Sequence, residues 1–295
     1  MEQLIKENTA KALGLEPEQV TVQRRLMGGM SNLMFVMDAA GETLTFRIPG
    51  KKGEVFVDRD EELENIKIVD VLGINNETLW FDPVSGYKIA RYVEGTPLSE
   101  TPKPEAHLND VAEVLTLLHG CSLKAAKEYD PFGRLERYEG LVKDQGFSHD
   151  PEYFRLKDQF LSQRGFLEQF PKTFCHNDSQ ISNIVISDEG QTYLLDWEFG
   201  GQNDPLYDCA CVGNQDFSLA VKFLPIYLGR EPRPEEWKRM YLWRAFQCLQ
   251  WHNVALYKDL AGLSQELGVD FKVIAAAYLT KAAGFLKEAE AFVII

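Results

Sequence analysis

The segment His176-Asn177-Asp178-Ser179-Gln180-Ile181-Ser182-Asn183, followed thirteen residues on by Asp196, constrains this chain more than any other. Two short apolar runs, Ile184-Val185-Ile186 and Tyr193-Leu194-Leu195, flank a turn at Ser187-Asp188-Glu189-Gly190. Apolar runs around a short Gly-containing turn predict a β-hairpin. Asn183 enters that hairpin and Asp196 leaves it, so the two are expected opposite each other at its open end. An amide oxygen and a carboxylate are hard donors suited to Mg²⁺. Asp178 lies five residues before Asn183, on the loop that enters the same end. A carboxylate for an attacking hydroxyl and cations for the phosphates are what phosphoryl transfer requires. Asp and Asn also cap turns and helices, and an isolated Asp-x4-Asn would carry little. The full pattern, with His before it and an Asp after an apolar strand, is far more specific.

The net charge of -14 and pI near 4.9 argue against a nonspecific nucleic-acid binder, which needs a basic footprint. They suit a small cationic substrate. An anionic nucleotide would then need Mg²⁺ or a local concentration of positive charge. The five cysteines include no CxxC, and Cys209-x-Cys211 has no second half for a zinc site. Reduced thiols and a cytoplasmic location are expected. The N-terminal residues have neither a basic start nor an apolar core, so no signal peptide is expected, and no run is long enough to span a membrane. Nothing in the sequence sets an oligomeric state.

Residues 2–14 read as a helix, and 20–26, 32–38, 43–48, 78–82 and 86–93 as strands. An amphipathic helix is expected over 58–72, where Leu63, Ile66, Val69 and Leu72 recur at helical spacing. The Glu94-Gly95-Thr96-Pro97-Leu98 segment breaks this pattern and is taken as the domain boundary. Helices are expected after it, near 151–168, 205–227, 234–260 and 269–292, with Val111, Val114, Leu115 and Leu118 forming another core stripe. The expected class is α+β: a small antiparallel β-rich lobe with one packed helix (1–93), then a larger, mainly helical lobe (94–295). A ligand cleft between the two is expected.

HNDxxxxN followed by an Asp at the end of a strand resembles the aminoglycoside phosphotransferase and choline kinase superfamily, whose fold is protein-kinase-like and two-lobed. With Gly28-Gly29-Met30-Ser31-Asn32, LTFRIPG, LLDWEFGGQNDPLYD and YLWRAFQCLQW, most of the chain is most similar to LicA-type bacterial choline kinases. The resemblance implies an ATP- and Mg²⁺-dependent kinase acting on choline. Asp178 would accept or orient the substrate hydroxyl, and Asn183 and Asp196 would hold Mg²⁺. Arg47 would contact phosphates and pair with Glu62, although Glu61 and Glu64 are close by. Gly29, Ser31 and Asn32 would lie over the phosphates, in a turn that serves equally as an ordinary hairpin turn. Arg91 and Val93 would belong to the strand that reads the adenine edge.

Choline has no N–H to donate, so aromatic faces must hold it. Trp197, Glu198, Phe199, Tyr207, Trp243 and Phe246 are the implied substrate contacts. Trp243, Phe246, Gln250 and Trp251 share one helical face that would otherwise pack as core. An ethanolamine or aminoglycoside kinase is the alternative, for which Asp204, Asp208 and Asp216 offer N–H acceptors. A non-catalytic regulator is disfavoured, because Asp178, Asn183 and Asp196 are all present.

Overall fold

The computed structural model describes residues 1–26, 32–125 and 127–292. Helix α1 (Glu2–Leu13) ends on Gly14, whose φ of 71° is the left-handed conformation that glycine adopts without strain. Strands β1 (Val20–Leu26), β2 (Asn32–Ala39) and β3 (Glu42–Pro49) follow. β2 and β3 pair antiparallel in unbroken register from Asn32↔Pro49 to Ala39↔Glu42. Helix α2 (Arg59–Val69) starts on Asp58, whose carboxylate accepts the N–H groups of Asp60 and Glu61. Strands β4 (Thr78–Phe81) and β5 (Lys88–Arg91) complete a five-stranded antiparallel sheet of order β1-β2-β3-β5-β4. One face of this sheet packs Ile5, Val20, Met37, Leu44, Phe46 and Ile89 into a core.

The segment expected to be a boundary is instead strand β6 (Gly95–Pro97), followed by helix α3 (Leu108–Gly120). Helices α4 (Pro131–Asp144), α5 (Pro151–Leu161) and α6 (Arg164–Leu167) lead to the short strand β7 (Thr173–Cys175). The expected hairpin is present as β8 (Ile184–Ser187) and β9 (Thr192–Leu194), paired Ile184↔Leu194 to Ile186↔Thr192. Gly190, at φ 86°, makes its turn. β6 pairs with β8 on the side away from β9. Gly95 is required there, since a Cβ would lie 2.3 Å from the carbonyl oxygen of Ile186. The chain continues through β10 (Gly201–Asn203) and helices α7 (Pro205–Val212), α8 (Phe217–Leu228), α9 (Pro234–Leu260), α10 (Leu263–Leu267) and α11 (Phe271–Glu290).

Packing groups the chain into two compact units, Met1–Lys127 with Ile181–Gly201, and Glu128–Gln180 with Gln202–Ile295. This division differs from a cut at residue 93. β6, α3 and the hairpin belong with the five-stranded sheet's unit, and β6 pairs with β8 of the hairpin in a second sheet. The second unit is built around α9, which buries residues on all sides, including Met240, Trp243, Phe246 and Leu249. The helix expected over 205–227 is two helices: α7 ends at its C-cap Gly213, and Asp216 starts α8 by accepting the N–H of Ser218. The helix expected over 151–168 is likewise divided into α5 and α6. Among the described residues no helix is long and apolar enough to cross a membrane.

Candidate active site

In the first unit, the face of β3 opposite the apolar core carries Arg47, directly across from Lys88 of β5. Both cations are buried, at 1% and 5% exposure. The Arg47 guanidinium forks onto Glu62 of α2, with Nη2 at 3.0 Å from Oε2 and Nη1 on Oε1. Of the three candidate glutamates, Glu62 is the partner; Glu61 instead accepts Lys127 Nζ at 2.5 Å. Arg59, which sequence reasoning did not single out, donates one nitrogen to Glu62 at 2.6 Å and to Glu198 at 3.0 Å. Glu198 also accepts Asn32 Nδ2 at 3.3 Å. Arg47 Nη1 lies 3.8 Å from the Asp196 carboxylate.

This cluster sets its own titration. Burial pushes the Glu62 carboxyl up, but Arg47, Lys88 and Arg59 outweigh it and hold the group at about 2. Burial and the charge of Asp196 push Glu198 up to about 7 against the pull of Arg59. Burial, then the facing Arg47, lower Lys88 from its ordinary value.

At the open end of the hairpin the Leu195 N–H donates to Asn183 O at 2.8 Å, which extends the β8–β9 ladder by one step. The residue across from Asn183 is therefore Leu195, and Asp196 comes next rather than directly opposite. Asp196 has φ 69°, a conformation that costs a non-glycine residue and that clusters at functional positions. Its side chain is 32% exposed, whereas Arg47 beside it is closed off.

The acidic donors of the cluster are the Asp196 and Glu198 carboxylates, and Asn183 stands one step away at the end of the hairpin ladder. Asn32 Oδ1 is a further oxygen, buried without a hydrogen-bond partner. This donor set fits Mg²⁺, a hard cation that takes oxygen ligands. Asn183 and Asp196 would hold the ion, and a cation on Asp196 would also lower Glu198.

Arg91 and Val93, two other expected nucleotide contacts, both line one groove. Arg91 is an exposed surface residue paired with Glu42 at 2.9 Å and with Glu77. Its N–H is taken by Glu77 O, and that of Tyr92 by Thr43 O. Val93 lines an open groove of about 730 Å³ with Asn75, Tyr92, Glu94 and the hairpin residues Ser187 and Tyr193. Gly29 and Ser31 lie outside the described residues. Trp197 and Phe199 are buried in the first unit, and Trp197 Nε1 donates to Leu194 O at 2.9 Å.

The second unit holds Asp178. Its loop is shaped by Asp208, whose carboxylate accepts the N–H of His176 at 2.8 Å, the N–H of Asn177 at 2.7 Å and Ser179 Oγ at 3.1 Å. Asn177 has φ 61°, and its Oδ1 accepts Asn203 Nδ2 at 2.8 Å. Asp178 itself is buried and accepts Gln180 Nε2 at 3.2 Å.

Tyr207, Trp243 and Phe246 form one aromatic cluster with Phe160, with ring centroids 5.5–6.3 Å apart. Trp243 Nε1 donates to Asp204 at 2.8 Å, and Arg239 Nε reaches the same oxygen at 2.9 Å. Beside them is a hollow of about 20 Å³ lined by Phe132, Phe170, Asp204 and Trp243, the size of a water rather than a trimethylammonium group.

A model of the choline/ethanolamine kinase family matches residues 23–215. Protein LicA of Haemophilus influenzae is 27% identical over 190 residues, 63% of this chain and 56% of that protein. Ethanolamine kinase 2 of Mus musculus is 27% identical over 241 residues, 77% of this chain and 61% of that one. The chain thus spans a little over half the length of these relatives. The crystal structure of choline kinase LicA from Streptococcus pneumoniae superposes with a TM-score of 0.78 at 22% identity, covering 98% of this chain and 99% of that one. That likeness establishes the fold as α+β and protein-kinase-like. The Arg47–Glu62 fork and the Asn183–Asp196 hairpin both fall inside the matched span, which is well over half of the sequence, and on that match the chain belongs to the choline/ethanolamine kinase family.

Proposed function

We propose that this protein transfers the γ-phosphate of ATP to the hydroxyl of choline, giving phosphocholine. The observation that carries the kinase reading is the buried Arg47, forked on Glu62 and 3.8 Å from Asp196. A permanently charged guanidinium suits phosphate oxygens, and this one is anchored by Glu62 with its Nη1 beside Asp196. Asn183 and Asp196 would hold Mg²⁺, which would supply neutralisation of the phosphate charge. Asp178 accepts the proton of the attacking hydroxyl or orients that hydroxyl. The five free cysteines accord with a cytoplasmic enzyme.

The choice of choline over ethanolamine rests on the second unit. A primary ammonium needs acceptors for its N–H groups. Asp204 is engaged by Arg239 and Trp243, Asp208 by the loop of Asp178, and Asp216 by the cap of α8. A quaternary ammonium uses aromatic faces, about 0.5–2 kcal/mol each when well placed, and Tyr207, Trp243 and Phe246 are the rings assigned that role, which requires them to open beyond the water-sized hollow beside Trp243. The test is a panel of choline, ethanolamine, its N-methylated forms and an aminoglycoside with Mg-ATP, read by phosphorus NMR. Phosphocholine should dominate. Faster turnover of ethanolamine would replace the choline assignment with the ethanolamine one, and no phosphorylated alcohol at all would remove both.

A further inference from the structure

Gln180 stands two residues after Asp178, and its Nε2 donates to Asp178 Oδ2 at 3.2 Å. Its Oε1 accepts Asn214 Nδ2 at 2.8 Å. Asn214 lies in the turn between α7 and α8, and its backbone oxygen accepts Arg244 Nη2 at 3.0 Å. Arg244 is 1% exposed on α9, adjacent to Trp243. It is itself anchored, with Nη1 on Gln247 Oε1 at 2.9 Å and Gln247 Nε2 on Tyr207 O at 3.1 Å.

The sense of this chain is fixed by chemistry. An ionised carboxylate only accepts, so Gln180 must turn its NH₂ toward Asp178. The Gln180 oxygen then faces Asn214, which must present its own NH₂. Asn214 keeps that orientation although its Oδ1 is buried without a partner. A buried acceptor left unmade is a cost that folded proteins normally avoid, and here it marks an amide held by its other end.

We propose that Gln180, Asn214 and Arg244 form a positioning relay that fixes the Asp178 carboxylate for the acceptor hydroxyl. The relay rests on the reading of Asp178 as the base. At the Asp178 end it acts through one neutral amide donor, the Gln180 NH₂, which fixes the direction of a carboxylate oxygen. It also ties the base to α9, the helix that carries Trp243 and Phe246, so one helix sets both the aromatic wall and the aim of the carboxylate.

Steady-state kinetics of Gln180→Ala, Asn214→Ala and the double variant test the relay. Gln180→Ala should lower kcat about 10- to 100-fold, the scale of a misplaced reacting group, with the KM values for ATP and choline within about two-fold. Asn214→Ala should lower kcat less, and the double variant should be no worse than Gln180→Ala, because the two act in series. A rise in the KM for ATP with kcat intact would make Gln180 a nucleotide contact and overturn the relay, as would additive losses.

A second measurement needs no turnover. In protein labelled with ¹⁵N-glutamine, the Gln180 side-chain amide signal, assigned by its loss in Gln180→Ala, should shift in Asn214→Ala and in Asp178→Asn. No shift in either variant would refute the relay. A wild type that phosphorylates no alcohol would refute the functional reading, and the amide signal would still decide whether the chain of hydrogen bonds exists.

Discussion

The two units hold their functional carboxylates by opposite means. In the first, Glu62, Asp196 and Glu198 sit among Arg47, Arg59 and Lys88, and strong charges are compensated by strong charges. In the second, Asp208 gathers two backbone N–H groups and a hydroxyl, and Asp178 receives a neutral amide. The difference follows the chemistry. On the proposed function the first unit meets phosphates and a metal ion; the ionic fork keeps Glu62 charged there, while burial beside Asp196 raises Glu198 to about 7. On the same proposal Asp178 takes the proton, and the Gln180 amide that meets it carries no charge. The sharpest test is Asp178→Asn, which keeps size and polarity and removes the base. Turnover should fall by about two to four orders of magnitude with folding intact, the usual worth of a positioned acid–base group. Wild-type turnover in that variant would end the assignment of roles to the two units.

The next largest effect is expected from Glu62→Gln. Removing one partner of a buried ion pair leaves an uncompensated charge, at a cost of about 3–5 kcal/mol. Chemical denaturation should read that loss. The pH dependence gives the sign independently. Glu62 titrates in the folded protein at about 2, below its ordinary 4.5. Its contribution is therefore complete above 4.5 and is lost as pH falls toward 2. Glu198, at about 7, runs the other way: its contribution is complete below 4.5 and is lost as pH rises through 7. Glu62→Gln should flatten the acid limb of the stability profile. An unchanged acid limb would mean that the fork carries none of it.

Asp208→Asn provides the matching disruption in the second unit. The new NH₂ would face N–H donors, and hydrogen bonds to a charged group contribute about 1.5–3 kcal/mol each. Destabilisation should be comparable to or below that of Glu62→Gln, and turnover should fall with it because the Asp178 loop loses its anchor. A variant that is destabilised yet fully active would show that the loop's shape does not depend on Asp208.

How much of this was legible in the sequence follows from the range of each interaction. The hairpin was readable because its strands, its turn at Gly190 and its flanking Asn183 and Asp196 are all local. The five strands and α2 were readable for the same reason. β6 was not, since Gly95-Thr96-Pro97 has no alternation of its own and becomes a strand only by pairing with β8. Arg47 and Glu62 were assigned through the resemblance, and the structure adds Arg59 and Lys88, whose relevance depends on the β3–β5 register. Asp204 and Asp208 looked like spare acceptors for a substrate amine, because nothing local announces the donors that converge on them from α9 and from the Asp178 loop. Gln180, Asn214 and Arg244 are connected only by tertiary packing, so no spacing rule could have grouped them.

The smallest predicted effect concerns the aromatic wall. Trp243 is almost fully buried, packed against Phe160, Tyr207 and Phe246 and hydrogen-bonded to Asp204. Such a ring serves either as core or as one face for a quaternary ammonium. Trp243→Leu keeps most of the apolar volume and removes the π face, so the two roles separate. If the ring meets choline, titration calorimetry should show choline binding weakened about 2- to 30-fold, the range of one cation–π contact, with ATP binding unchanged. The contrast with the first unit predicts this selectivity, because the ionic fork proposed to meet the nucleotide shares no residue with the aromatic cluster. Equal losses for both ligands would assign Trp243 to the core and require the ammonium to find its aromatic faces elsewhere.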